Sequence, residues 1–186
     1  MADIDLAVQA ARRAFDDDNS EWRKLEPSAR ASLLTKFAEY LIRDIDYLAK
    51  LETLNSGKPI MDSYTNIHIA ADIIRYYAGY WNVPIVMLAL KLGPALACGN
   101  TCILKPAEQT PLTALYCASL IKEAKFPNGV VNIVPGNGSD CGHSMVVHNG
   151  IDKISFTGSL EVGKQIQQEA ATNLKLVSLE LGGKSP

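Results

Sequence analysis

From Thr101 onward the sequence repeats one unit three times: a short apolar run, a polar or glycine-rich loop, then a stretch of helical pattern. The runs are residues 101–104, 130–134 and 154–156, and a last run, 174–181, closes the series before Gly182-Gly183. Short β-branched and aliphatic runs of this kind read as buried strands. A strand that reaches the next through a helix cannot form a hairpin with it, so the crossover leaves the two parallel. The alternation predicts an α/β fold with a parallel sheet covered by helices on both faces.

The first eighty residues follow a different period. Residues 3–15 read as a helix with Ile4, Ala7, Ala11 and Ala14 on one face, and 16–20 as a polar turn. Pro27 and Ser28 open a long helix with Leu33, Phe37, Leu41 and Ile45 four apart, and the helix continues over 46–55 until Ser56-Gly57-Lys58-Pro59 stops it. Residues 60–80 form a further helix, with Ile67, Ala70, Ala71, Ile74 and Tyr77 as its stripe. The pattern changes at Trp81-Asn82-Val83-Pro84. Residues 85–97 are apolar and end at Cys98-Gly99-Asn100, a helix stop and turn.

At 186 residues there is room for one domain, or one and a part. A chain that is 47% hydrophobic and 20% charged is of the soluble globular type. The net charge of −2 gives no reason to expect nucleic acid or an anionic membrane as a partner. The apolar run at 83–90 is too short to span a bilayer. The acidic N-terminus resembles neither a signal nor a transit peptide. Four cysteines without metal-ligand spacing indicate reduced thiols and a cytoplasmic location.

Ligands of open α/β sheets bind just beyond the carboxyl ends of strands, so the loops there are the places to search. Residue 104 is followed by Lys105-Pro106-Ala107-Glu108-Gln109-Thr110-Pro111. Thr110 is expected to cap the next helix and Pro111 to take its first position, with Leu112, Leu115, Tyr116 and Leu120 as the apolar stripe. Glu108 can accept hydrogen bonds from both hydroxyls of a ribose, and Lys105 can donate to one of them. A carboxylate there also repels a 2′-phosphate, favouring NAD over NADP. A solvated loop with an incidental ion pair fits the same residues.

Gly136-Asn137-Gly138-Ser139-Asp140-Cys141-Gly142 resembles a dinucleotide fingerprint with one residue too many before its third glycine. Gly138 is thus a candidate phosphate contact or part of a plain strand-to-helix turn. Thr157-Gly158-Ser159 follows a strand and opens a helix whose free N–H groups can hold a phosphate; an ordinary helix cap fits equally well. Gly158 would allow close approach, and Ser159 can cap or donate. Glu180 lies between Leu179 and Leu181, where partial desolvation would make it a useful base; it also reads as an edge-facing charge in a strand. Cys102 and Cys117 look like small core residues, and no cysteine has an activating neighbour in sequence. His68, His143 and His148 lack ligand spacing.

Together these segments resemble the NAD(P)-dependent aldehyde dehydrogenase family, near its cytosolic and mitochondrial NAD-using class. The strongest portions are residues 91–100, residues 104–111, Phe156-Thr157-Gly158-Ser159 and Leu179-Glu180-Leu181-Gly182-Gly183-Lys184-Ser185-Pro186. The resemblance implies a helical part over 1–81 and an incomplete Rossmann-like dinucleotide-binding domain over 82–186. It implies NAD as cofactor and an aldehyde, oxidised to a carboxylic acid, as substrate. In the family the residues matching Lys105 and Glu108 hold the adenosine ribose, and the one matching Ser159 contacts the pyrophosphate. The glutamate matching Glu180 is the general base, and the asparagine matching Asn82 stabilises the oxyanion.

The family reaction begins with a cysteine thiolate in a separate catalytic domain, further along than Pro186. The chain also runs straight from Tyr76-Tyr77-Ala78-Gly79-Tyr80 to Trp81-Asn82-Val83-Pro84. There the family carries an insertion that supplies oligomerisation strands and the first strand of its nucleotide-binding sheet. The expectation is a truncated and internally deleted member that keeps most of the NAD site and lacks turnover. Its sheet should have an unpaired edge, and its helices should show apolar surface. The alternatives are a non-catalytic protein that binds NAD or associates with full-length relatives, and a part of a complete dehydrogenase.

Overall fold

The computed structural model describes residues 2–77 and 86–182. Helix α1 (Ala2–Asp16) buries Ile4, Ala7, Val8, Ala11 and Ala14, the face its three-and-four spacing predicts. Ser20 caps the short α2 (Glu21–Lys24) by accepting the Arg23 N–H at 3.2 Å. That turn drives Trp22 into the core, where its indole N–H donates to the Gly99 carbonyl at 2.8 Å. The single long helix expected next is two helices, α3 (Pro27–Arg43) and α4 (Ile45–Ser56), broken at Asp44. Asp44 accepts from the Arg43 guanidinium at 2.7 Å and from the Tyr116 hydroxyl at 2.8 Å, and these partners hold its carboxylate at the break. Gly57, at φ 73°, closes α4 in a left-handed conformation that costs glycine nothing.

Helices α5 (Ile60–Tyr77) and α6 (Val86–Ala97) pack with α3 and α4 around a core that includes Leu34, Phe37, Leu41, Leu48, Ile67 and Leu96. The cluster continues through α7 (Leu112–Glu123) to Val130. Helix α7 is rotated from its expected face. It buries Thr113, Ala114, Cys117, Leu120 and Ile121, while Leu112 and Leu115 are 43% and 41% exposed. The buried Glu52 carboxylate explains the rotation: it takes the Thr113 hydroxyl and the Lys58 ammonium, the latter at 2.8 Å. An unpaired buried charge costs about 3–5 kcal/mol, more than partly exposing two leucines. Thr110 makes no cap. Pro111 takes the cap position instead of the first helical one, and its carbonyl accepts the Leu115 N–H at 3.0 Å.

Strand β1 (Cys102–Leu104) pairs in parallel with β2 (Val131–Ile133), with Cys102 opposite Val131. Past a π turn and α8 (His143–Val147), β3 (Lys153–Gly158) pairs in parallel with β4 (Leu176–Leu181), with Ile154 opposite Val177. The strands are parallel, as the alternation predicts. Among the described residues, however, they form two half-sheets, β1–β2 and β3–β4, instead of one continuous sheet. Helix α9 (Leu160–Ala170) covers the second half through Ile166 and Ala170, which pack with Val146 and Ile154.

Helix α1 bridges the halves. It contacts β1 and β2, and Arg12 donates to the Gly150 carbonyl at 2.8 Å and to Asp152 at 2.7 Å. Gly129, at φ 85°, lets the chain pass beneath α1, since a Cβ there would lie 2.3 Å from the Ala10 carbonyl oxygen. Large apolar side chains also face water, notably Leu174 at 90% exposed and Leu54 at 79%. No described helix is long and apolar enough to cross a membrane.

Replacing Thr113 with valine keeps the side-chain shape but removes a donor from a buried carboxylate. Urea unfolding should show a loss of about 1–3 kcal/mol. An unchanged midpoint would mean that Glu52 does not depend on this bond.

Candidate functional site

Because β1 and β2 are parallel neighbours, the loops at their carboxyl ends emerge side by side. Lys105 exploits this: its ammonium donates to the Pro106 carbonyl at 2.8 Å and across to the Gly136 carbonyl, in the loop after β2, at 3.1 Å. Glu108 makes the return link, accepting the Gly138 N–H at 3.1 Å, while Gln109 donates to its other oxygen at 3.2 Å. No ion pair joins Lys105 to Glu108 among the described residues. The two loops are instead laced through backbone groups, and the Glu108 side is open to water.

The extra residue in the fingerprint-like run also has an explanation. Asn137 accepts the Asp140 N–H at 2.8 Å, and the Gly142 N–H reaches back to the Asn137 carbonyl at 3.2 Å. This i to i+5 closure makes residues Gly138–Gly142 a π turn, which absorbs one more residue than an α turn would. Gly138 has open space where a Cβ would stand.

After β3, Ser159 caps α9, its hydroxyl oxygen accepting the Val162 N–H at 3.3 Å. Gly158 has a packing reason to be glycine, since a Cβ would come within 2.4 Å of the Phe156 ring. Lys105, Gly138, Ser155 and Thr157 line one cleft of about 1370 Å³, between the loops of the first half-sheet and strand β3.

Of the described residues expected at the site, Lys105 and Gly138 line this cleft, whereas Glu108, Gly158, Ser159 and Glu180 do not. Glu180 is exposed on β4, so the desolvation expected between Leu179 and Leu181 is absent: in a parallel pair successive side chains alternate faces, and this one faces water. Asn82 lies outside the described residues. Lys91 is a cleft residue that the sequence reading left without a role. It is half-buried, donates to the Ser155 hydroxyl at 3.0 Å, and is held below the usual lysine range by desolvation, with Glu180 opposing. The signal was present: it is the one charge in the otherwise apolar α6.

Three of the four thiols are poor nucleophiles. Burial pushes Cys102 and Cys117 up to about 12 and also raises Cys141. At neutral pH such groups are thiols, not thiolates. Cys98 is exposed at the end of α6. His143 pairs with Glu169 at 3.0 Å and His148 with Asp5 at 3.2 Å, and no cluster of metal-ligating side chains occurs among the described residues.

Loops from the carboxyl ends of parallel strands, converging on one cleft, are the ligand-site layout of an open α/β protein. The model of the aldehyde dehydrogenase family matches residues 1–80 and 81–186. The chain is 47% identical over 218 residues to omega-crystallin of Enteroctopus dofleini, covering 100% of this chain and 44% of that protein. It is 48% identical over 219 residues to human retinal dehydrogenase 2, covering 100% of this chain and 42% of that one. The structure of the NAD+ complex of Bacillus cereus aldehyde dehydrogenase superposes with a TM-score of 0.94 at 43% identity, over 100% of this chain and 44% of that one. The chain belongs to the aldehyde dehydrogenase family, and it spans less than half the length of these relatives. The omega-crystallin alignment takes 218 positions against the 186 residues here, a difference of 32, and the family match is broken between residues 80 and 81.

At pH 8, Ellman's reagent should titrate Cys98 promptly in the folded chain, with Cys102 and Cys117 reacting only after denaturation. Rapid reaction of Cys117 in the native state would contradict the burial described here.

Proposed function

We propose that this chain supplies the NAD-holding part of an aldehyde dehydrogenase and does not turn over an aldehyde by itself. In this reading residues 1–81 are the helical part and residues 82–186 form an incomplete dinucleotide-binding domain. The observation that carries it is the lacing of the two loops by Lys105 and Glu108. Among the described residues it leaves both side chains partly unused: an ammonium has three protons, of which Lys105 spends two, and a carboxylate has about four acceptor sites, of which Glu108 spends two.

That remainder fits a ribose diol, with Glu108 accepting from the hydroxyls and Lys105 donating to one. A 2′-phosphate would meet the Glu108 charge, so NAD is favoured over NADP. Gly138 and Gly158 border the path of the pyrophosphate, and the Ser159 hydroxyl, which spends only its oxygen on the cap, keeps a proton to donate. NAD, when bound, accepts hydride. Glu180 as general base and Asn82 as oxyanion donor are assigned by family resemblance. The raised thiols of Cys102, Cys117 and Cys141 support the absence of turnover. The alternative reading is a non-catalytic NAD-binding protein, or one that joins full-length relatives, in the cytoplasm.

Calorimetry with NAD should give saturable binding at one site, and Glu108→Gln should weaken it roughly 10- to 100-fold, the worth of a hydrogen bond to a charged group. Incubation with NAD and acetaldehyde should give no NADH. Equal NAD affinity in the Glu108→Gln chain would refute the site, and NADH formation would refute the lack of turnover.

A further inference from the structure

Among the described residues, the two half-sheets leave their facing edges unsatisfied in a way that specifies what fits between them. In a parallel ladder, alternate residues direct both backbone groups to one neighbour. The Cys102 N–H bonds the Val130 carbonyl at 2.8 Å, and the Val134 N–H bonds the Leu104 carbonyl at 2.9 Å. Cys102 and Leu104 therefore serve β2, and the N–H and C=O of Ile103 turn the other way. In the second half-sheet the Leu176 N–H bonds the Asp152 carbonyl at 3.2 Å, and the Gly182 N–H bonds the Gly158 carbonyl at 3.3 Å. That register commits Ile154, Phe156 and Gly158 to β4, and it turns the backbone groups of Lys153, Ser155 and Thr157 away from it.

These outward-turned residues share one space. Ile103, Lys153, Ser155 and Thr157 all line the 1370 Å³ cleft, and no residue of β2 or β4 does. The spatial order is therefore β2, β1, cleft, β3, β4. Helix α6 borders the cleft with Met87, Leu90 and Lys91, so it has an apolar side.

We infer that this cleft is a docking slot for one extended polypeptide segment from a second chain, which pairs with β1 on one edge and β3 on the other. A helix cannot satisfy the slot, because its own backbone groups are already paired. An extended segment offers N–H and C=O alternately on both edges and would join the halves into one five-stranded sheet. The occupant is an extended segment of a longer member of the same family. Relatives carry 32 more aligned positions than this chain, and the family match breaks at residues 80 and 81, just before the helix that borders the slot. The inference rests on family membership and strand pairing, not on the NAD site.

The probe is a synthetic peptide covering the residues that omega-crystallin carries between the positions matching Tyr80 and Trp81. Titration into the full 186-residue chain, followed by Trp fluorescence and calorimetry, should show one-to-one saturable binding. The same peptide N-methylated at alternate backbone positions should bind at least tenfold more weakly. Ser155→Pro removes an N–H that faces the slot, at a position β4 does not use, and should abolish binding. Val177→Pro, on the far edge of β4, should leave it intact. Absence of peptide binding to the folded wild-type chain would overturn the inference, as would equal binding of the methylated peptide or retained binding by a folded Ser155→Pro chain. NAD titration of the same samples separates this outcome from failure of the cofactor site.

Discussion

A parallel strand satisfies its backbone on two sides, and among the described residues β1 and β3 each have a neighbour on one. That constraint organises what the rest of the molecule does. Helix α6 borders the opening, and Lys91 reaches the β3 hydroxyl of Ser155. Helix α1 links the halves from outside the ladder, with Arg12 gripping Gly150 and Asp152. The loops that form the candidate cofactor site rise from the carboxyl ends of these same strands. The site is thus carried on two separate supports instead of one sheet, and its rigidity depends on helices.

The helical part provides that rigidity. Its core runs unbroken from Ala14 to Val130, and β1, β2 and α7 are attached to it. A buried polar tie is made by Glu52, which holds Thr113 at the start of α7 and Lys58 just beyond the end of α4. Helix α7 follows the Lys105–Thr110 loop directly, so this buried carboxylate also fixes where that loop ends. The second half-sheet has a much smaller core, four buried residues with a fringe of half-buried ones, and it exposes Leu174 and Leu176 at 90% and 70%. Stability is therefore uneven: high around α3 to α7 and lower around α8, α9, β3 and β4.

Much of this could be read in the residues, and the reasons for success and failure are physical. Periodicity found α1 and α5 because each presents one continuous apolar face. Gly57 and Gly99 marked helix ends because a left-handed residue favours glycine. The face of α7 was misread because a leucine stripe competes with a buried ion pair whose partner, Glu52, lies 61 residues away from Thr113. The break at Asp44 was hidden for the same reason, since Tyr116 contributes from 72 residues away. At the site, Lys105, Glu108 and Gly138 could be named individually. Their lacing through the Gly136 carbonyl could not, because a backbone acceptor has no signature in the side-chain code. The division into half-sheets was foreshadowed by the junction at residues 80 and 81, although four parallel strands in sequence look continuous.

Amide hydrogen exchange along β3 in the isolated chain tests the split sheet most directly. The amides of Phe156 and Gly158, committed to β4, should exchange slowly, while those of Ser155 and Thr157, directed into the cleft, should exchange much faster. Uniform protection along the strand would mean that β3 already has a second neighbour, and the open slot described here would not exist.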